Sequence, residues 1–161
     1  MSHTKYWIGV DPGKTGGLAY IDNKGIAQTI PMPVAENELD LHSIVEWFKE
    51  LSNGDVLVCI EKVGAMPGQG VVSMFTFGMG TGMLHGIIAA VGYKKIVVAP
   101  QTWKTKILRD TKKDKAAAIN YCLSMYPGVD LKATPRCKKY HDGMADALCI
   151  ATYAKLTYVD I

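Results

Sequence analysis

The apolar positions fall into runs whose period changes along the chain, and those changes lay out the elements. Tyr6 to Asp11 (YWIGVD) is a short apolar run with one acid at its end, the pattern of a buried strand. Pro12-Gly13-Lys14-Thr15-Gly16-Gly17 is a turn. Leu18 to Asp22 resumes as a strand, Asn23-Lys24-Gly25 is a tight hairpin signal, and Ile26 to Met32 pairs back. From Glu36 to Leu51 the period lengthens. Leu41, Ile44, Val45, Phe48 and Leu51 recur three and four apart, which predicts an amphipathic helix ended by Asn53-Gly54.

Val56 to Val63 (VLVCIEKV) predicts a central strand bearing an acid, and Gly64 to Gly70 (GAMPGQG) a loop. Val71 to Val91 predicts a long, glycine-spotted helix, and Lys95 to Ala99 a buried strand stopped by Pro100. Asp114 to Met125 is expected to be a helix, Val129 to Tyr140 a basic loop, and Asp142 to Leu156 an apolar closing helix. The order is β-β-β-α-β-α-β-α-α. Such an order gives an α/β fold: a mixed five-stranded sheet, three antiparallel then two parallel strands, with helices on both faces. No repeat or low-complexity tract divides the chain, so residues 1–161 are expected to form a single domain.

Composition narrows this picture modestly. Hydrophobic residues make up 48% and charged residues 20%, an ordinary globular mixture. The longest apolar stretch, Val71 to Val91, is interrupted by Gly78, Gly80, Gly82, His85 and Gly86, so no membrane span is expected. Met1 to Tyr6 is polar and lacks the features of a secretory signal, which makes a cytoplasmic location the default. The net charge is only +3, but its distribution is uneven. Lys104 to Lys115 holds six Lys or Arg against two Asp, and Lys132 to Lys139 holds four and no acid. Such clusters suit either a phosphate-binding face or a solvated surface. Cys59, Cys122, Cys137 and Cys149 form no C-x-x-C pair, and three of them lie in apolar runs as small hydrophobes would.

The chemistry lies in acids set among apolar neighbours. Asp11 ends the first apolar strand, Glu61 sits near the end of the second, and Asp146 lies inside MADALCIA. Buried carboxylates need compensation, and a divalent cation held by their oxygens would supply it. Asp142 stands four residues before Asp146, so the pair shares a helix face. Each acid also has a plainer reading. Asp11 could cap the Pro12-Gly13 turn, Glu61 could pair with Lys62, and Asp142 could be an N-cap or first-turn acid. Together they offer a hard oxygen site suited to two Mg²⁺ ions, with Mn²⁺ as substitute, for phosphodiester hydrolysis. His141 is the alternative fourth group, as ligand, proton carrier or phosphate contact, or an exposed loop histidine.

Ile8-Gly9-Val10-Asp11-Pro12-Gly13, Cys59-Ile60-Glu61-Lys62-Val63 and Asp142-Gly143-Met144-Ala145-Asp146-Ala147-Leu148 resemble, in that order, the three acidic motifs of RuvC-type Holliday junction resolvases in the ribonuclease H-like superfamily. The resemblance covers nearly the whole chain. Ala65 to Gly70, Ser73 to Gly78 and Pro100-Gln101-Thr102-Trp103-Lys104 are similar to the phage-encoded members. It implies a ribonuclease H-like fold and catalytic, metal-binding roles for Asp11, Glu61, Asp142 and Asp146. It also implies a homodimer through helix 71–91 that nicks four-way DNA junctions symmetrically, leaving 5′-phosphate and 3′-hydroxyl ends. One departure stands out. Better-known members space their last two metal groups three apart, where this chain has Gly143, so Asp142 or His141 must substitute.

Phosphate contacts are expected from Lys14, Lys104, Lys106, Lys112, Lys113, Lys115, Lys138 and Lys139. Phe75 is a candidate to enter the junction centre; Phe77 suits core or dimer better, and Trp103 suits packing or substrate contact equally. Rival readings are a broader branched-DNA or RNA/DNA-hybrid nuclease and a non-catalytic junction-binding module. A sugar-kinase or actin-like ATPase is disfavoured, since it needs a second phosphate loop and a longer chain.

Overall fold

A computed structural model describes residues 3–112 and 114–160. The opening meander forms as its alternation requires. β1 (Lys5–Asp11) pairs antiparallel with β2 (Gly17–Asp22), and β2 pairs antiparallel with β3 (Ala27–Pro31). Asp22 is a buried acid that closes the hairpin turn. Its Oδ1 accepts from the backbone N–H of Lys24 (2.9 Å) and of Ile26 (2.8 Å).

Two further strands, β6 (Asp55–Glu61) and β7 (Lys94–Val98), add in parallel and give the sheet order β3-β2-β1-β6-β7. Between β3 and β6 lie the short strands β4 (Val34–Ala35) and β5 (Glu38–Leu39) and helix α1 (Leu41–Lys49). Helix α2 (Val71–Ala90) precedes β7, and α3 (Pro100–Ile107), α4 (Ala117–Met125) and α5 (Asp142–Thr157) follow it.

Strand parity sends alternate side chains into two cores. Trp7, Ala19, Ile21, Leu57 and Cys59 pack with α3, α4 and α5 on one face. Ile8, Val10, Leu18, Val58 and Ile60 pack with α1 and α2 on the other. The expected five-stranded mixed sheet with helices on both faces is therefore what forms.

Four expectations need correction. The helix expected from Glu36 begins at Leu41. Glu36 and Asn37 take positive φ (49° and 63°) and turn the β4–β5 hairpin, after which Asp40 caps α1 by accepting from the Ser43 backbone N–H at 3.1 Å. Pro100 does not merely stop β7 but opens α3, where its fixed φ and missing N–H cost nothing. The helix expected from Asp114 starts at Ala117, because the Asp114 side chain accepts from the Ala116 N–H (2.9 Å) and holds a turn. Finally, α2 runs unbroken through its glycines and His85, and by length and composition it is long and apolar enough to cross a membrane.

Candidate metal centre

Asp11 and Glu61 are placed by parity. β1 and β6 are parallel neighbours in the register Val10↔Ile60, and the two acids come one residue later at the same sheet end. Asp11 shares the parity of Trp7, and Glu61 that of Leu57 and Cys59, so both face α5.

Helix α5 is seated on that face by glycine. A Cβ at Gly9 would collide with the Ala147 carbonyl oxygen and lie 2.5 Å from the Ala151 nitrogen, so β1 touches the helix backbone directly. At the helix start, a Cβ on Gly143 would collide with the Thr15 carbonyl oxygen. The turn after Asp11 thus presses against the first turn of α5, and that contact explains why no side chain can stand three residues before Asp146.

The electrostatics follow from this convergence. Asp11 is pushed up to about 8 by burial first, then by the charges of Asp146 and Glu61, with Lys104 opposing. Asp146 is pushed up to about 6 by burial, with Lys104 opposing and Glu61 and Asp142 adding to the rise. The carboxylates form one electrostatic unit in which negative charge is under-compensated. All the donors are hard oxygens, which fits a divalent cation such as Mg²⁺. The side chains are not closed around one point, however. Among the described residues no group of three or more His, Cys, Asp or Glu is set to hold an ion. The Nε1–H of the buried Trp103 donates to Glu61 Oε2 at 2.6 Å.

Asp142 is exposed in the first turn of α5, so its favourable position at the helix N-terminus and its proximity to Asp146 coexist. His141 is the N-cap. Its Nδ1 accepts from the Met144 N–H at 3.1 Å, so in the neutral ring the proton sits on Nε2. Beside these acids opens a cleft of about 880 Å³ whose lining includes Asp142, Asp146, Lys104, Arg109, Lys112 and Lys115. Arg109 is a residue that sequence reasoning missed, although it lies inside the basic Lys104–Lys115 run.

The other candidate contacts are scattered. Lys14 lines a separate cleft of about 520 Å³ and donates to Asn37 Oδ1 at 2.8 Å. Phe75 is 71% exposed on α2, whereas Phe77 is half-buried against Gly13. Lys106 donates to Thr157 Oγ1 and lies over the Tyr153 ring, engaged by α5. Lys138 and Lys139 are in the segment before α5 and line neither cleft. Lys113 lies outside the described residues.

No protein-family model matches the chain, and no curated protein matches it in sequence. Solved structures do. A structure described as T. thermophilus RuvC in complex with a Holliday junction substrate superposes with a TM-score of 0.61 at 18% identity, covering 96% of each chain. A second structure of Thermus thermophilus RuvC gives 0.54 at 18% identity, covering 95% of this chain and 96% of that one. With its sheet order and two-sided helix packing, the chain has the ribonuclease H-like fold of RuvC.

Proposed function

We propose that this protein is a metal-dependent endonuclease that resolves four-way DNA junctions. The observation that carries the reading is the convergence of Asp11, Glu61 and Asp146 at one sheet end, beside a cleft edged by Lys104, Arg109, Lys112 and Lys115. Acids that repel one another next to cations fit a phosphodiester handled through metal, because each charge type then meets its opposite.

Asp11, Glu61, Asp146 and the neighbouring Asp142 would hold Mg²⁺, or Mn²⁺ in its place. When bound, two such ions supply a nucleophilic water at neutral pH and stabilise charge on the reacting phosphate. The chain's own residues do the rest. Lys104, already placed to offset Asp11 and Asp146, would meet the scissile phosphate. Arg109, Lys112 and Lys115 would track the strand along the cleft. Water adds to phosphorus, the P–O3′ bond breaks, and the products are a 5′-phosphate and a 3′-hydroxyl.

A homodimer completes this reading. The outer face of α2 exposes Val71, Val72, Phe75, Met79 and Met83, while Leu84 and Ile88 are fully buried in the sheet core. A helix with one face committed to that core cannot enter a bilayer without emptying it. A second copy meeting α2 along Met79 and Met83 would cover that part of the face, leave the Phe75 end of the helix open, and present two sites to a two-fold junction. Phe75 would then stand where it can reach unstacked bases at the junction centre.

The test uses purified protein on a labelled synthetic four-way junction and a matched linear duplex, each with Mg²⁺ or EDTA. Paired, symmetric nicks confined to the junction and to Mg²⁺ are expected. Equal cutting of flaps or of RNA/DNA hybrids would broaden the enzyme to a less selective nuclease. Tight junction binding without any cleavage would replace it with a binding module.

A further inference from the structure

Among the described residues, Glu61 differs from the other acids of the centre in having a dedicated protein donor. The indole of Trp103 is fully buried, and its Nε1–H donates to Glu61 Oε2 at 2.6 Å across 42 residues of sequence. An indole is a donor only, so this contact serves one carboxylate oxygen and nothing else. Among the described residues no hydrogen bond reaches Glu61 Oε1. The backbone makes the contact stiff. The Lys62 N–H donates to the Val98 carbonyl at 2.7 Å, joining the ends of β6 and β7, and α3 begins two residues later at Pro100. Trp103 therefore comes beneath Glu61 after a single turn of a proline-started helix.

The same ring also holds a cation. Lys104 Nζ lies 5.3 Å from the Trp103 ring centroid, and its charge lowers both Asp11 and Asp146. One buried side chain thus engages an acid through its N–H and a base through its π face. Packing alone would fill this space equally well with an aliphatic or phenyl group, which has no donor for Glu61.

We propose that Trp103 is a positioning residue that fixes the carboxylate of Glu61 through Oε2 and leaves Oε1 directed to the metal. This rests on the metal-centre reading above. It assigns Trp103 to the centre itself rather than to packing or substrate contact.

Two measurements test it, neither of which depends on cleavage. First, in the wild-type protein the Trp103 indole N–H resonance is identified by elimination with Trp7→Phe and Trp47→Phe. It should shift and saturate as Mg²⁺ is added. The Trp7 indole, which donates to the Tyr158 carbonyl at 2.7 Å, should stay put. Second, Mn²⁺ affinity by calorimetry should fall about tenfold in Trp103→Phe, the loss typical of removing a hydrogen-bond partner from a metal ligand. In a Glu61→Gln background the same substitution should cost no further affinity. An unmoved Trp103 resonance while Mg²⁺ binds, or wild-type Mn²⁺ affinity in Trp103→Phe, would overturn the assignment and leave the metal centre standing. No Mn²⁺ uptake by the wild-type protein would overturn the metal centre and this assignment together.

Discussion

At the scale of single residues, the acids and their environment generate two expectations. Asp11→Asn, Glu61→Gln and Asp146→Asn keep side-chain size but remove the charge a cation needs. Each should lower junction cleavage on the order of a thousandfold or more while leaving junction binding, measured by gel shift in EDTA, within about threefold. Near-normal cleavage by one of them would remove that residue from the site. The second expectation concerns pH. Asp11 and Asp146 are raised in the folded state, to about 8 and about 6. The folded protein thus holds these protons more tightly than the unfolded chain. Their stabilising contribution is complete below the ordinary carboxylate pKa of 3.8 and is lost as pH rises through about 6 for Asp146 and about 8 for Asp11. A divalent cation that replaces those protons offsets the loss. The rise in Tm on adding Mg²⁺ should therefore be larger near pH 8 than near pH 5. An equal rise at both would mean that the ion binds elsewhere.

Which residues come together in the candidate site was partly legible from one dimension. Asp11 and Glu61 stand at the ends of two apolar strands, and their parity with Trp7, Leu57 and Cys59 is readable by counting in twos. Asp142 and Asp146 are a helical repeat apart. Trp103 was not assignable, because nothing in Pro100-Gln101-Thr102-Trp103-Lys104 says that its indole meets a strand 42 residues earlier. That contact exists only through the parallel pairing of β6 with β7.

At the scale of elements, the strands and long helices follow from periodicity because two cores enforce it. The misread stretches are those where a few backbone dihedrals decide. Glu36-Asn37 looks helical in composition, yet a positive φ at both residues makes a hairpin. The α3 helix has only Trp103 and Ile107 buried, too few for a periodic signal in eight residues. Gly143 is the most consequential element-level position. Its backbone lies on Thr15 and Gly16, so any side chain there separates α5 from the turn following Asp11. Gly143→Ala should destabilise the protein by about 1–3 kcal/mol, read by denaturant unfolding. It should also weaken Mn²⁺ binding, since Asp11 and Asp146 would move apart. Gly143→Asp, which restores a three-residue spacing to Asp146, should fail for the same steric reason. A Gly143→Asp variant as stable and active as the wild type would show that the helix start tolerates a side chain.

At the scale of the whole molecule, the outer face of α2 is the feature that one chain leaves uncovered. Val71, Val72 and Phe75 are each more than two-thirds exposed, and Met79 and Met83 continue the stripe. Exposed apolar residues contiguous along a helix mark an interaction surface more often than isolated ones do. Among the described residues no atom lies within 4 Å of a Cβ position at Gly78, Gly82 or Gly86, so this side has room for a closely packed partner helix. The candidate metal centre does not depend on this face, because Asp11, Glu61 and Asp146 meet α5 and α3 across the sheet. Met79→Glu with Met83→Glu should therefore separate assembly from chemistry. Light scattering should give twice the 17.5 kDa chain mass for the wild type and the single mass for the variant. Mn²⁺ affinity should be unchanged. Paired nicking should give way to single, uncoupled nicks, because a junction is cut in both strands within one binding event only when two sites arrive together. A wild-type protein that is monomeric at micromolar concentration yet nicks both strands in one encounter would overturn the dimer, and α2 would then have to face the DNA itself.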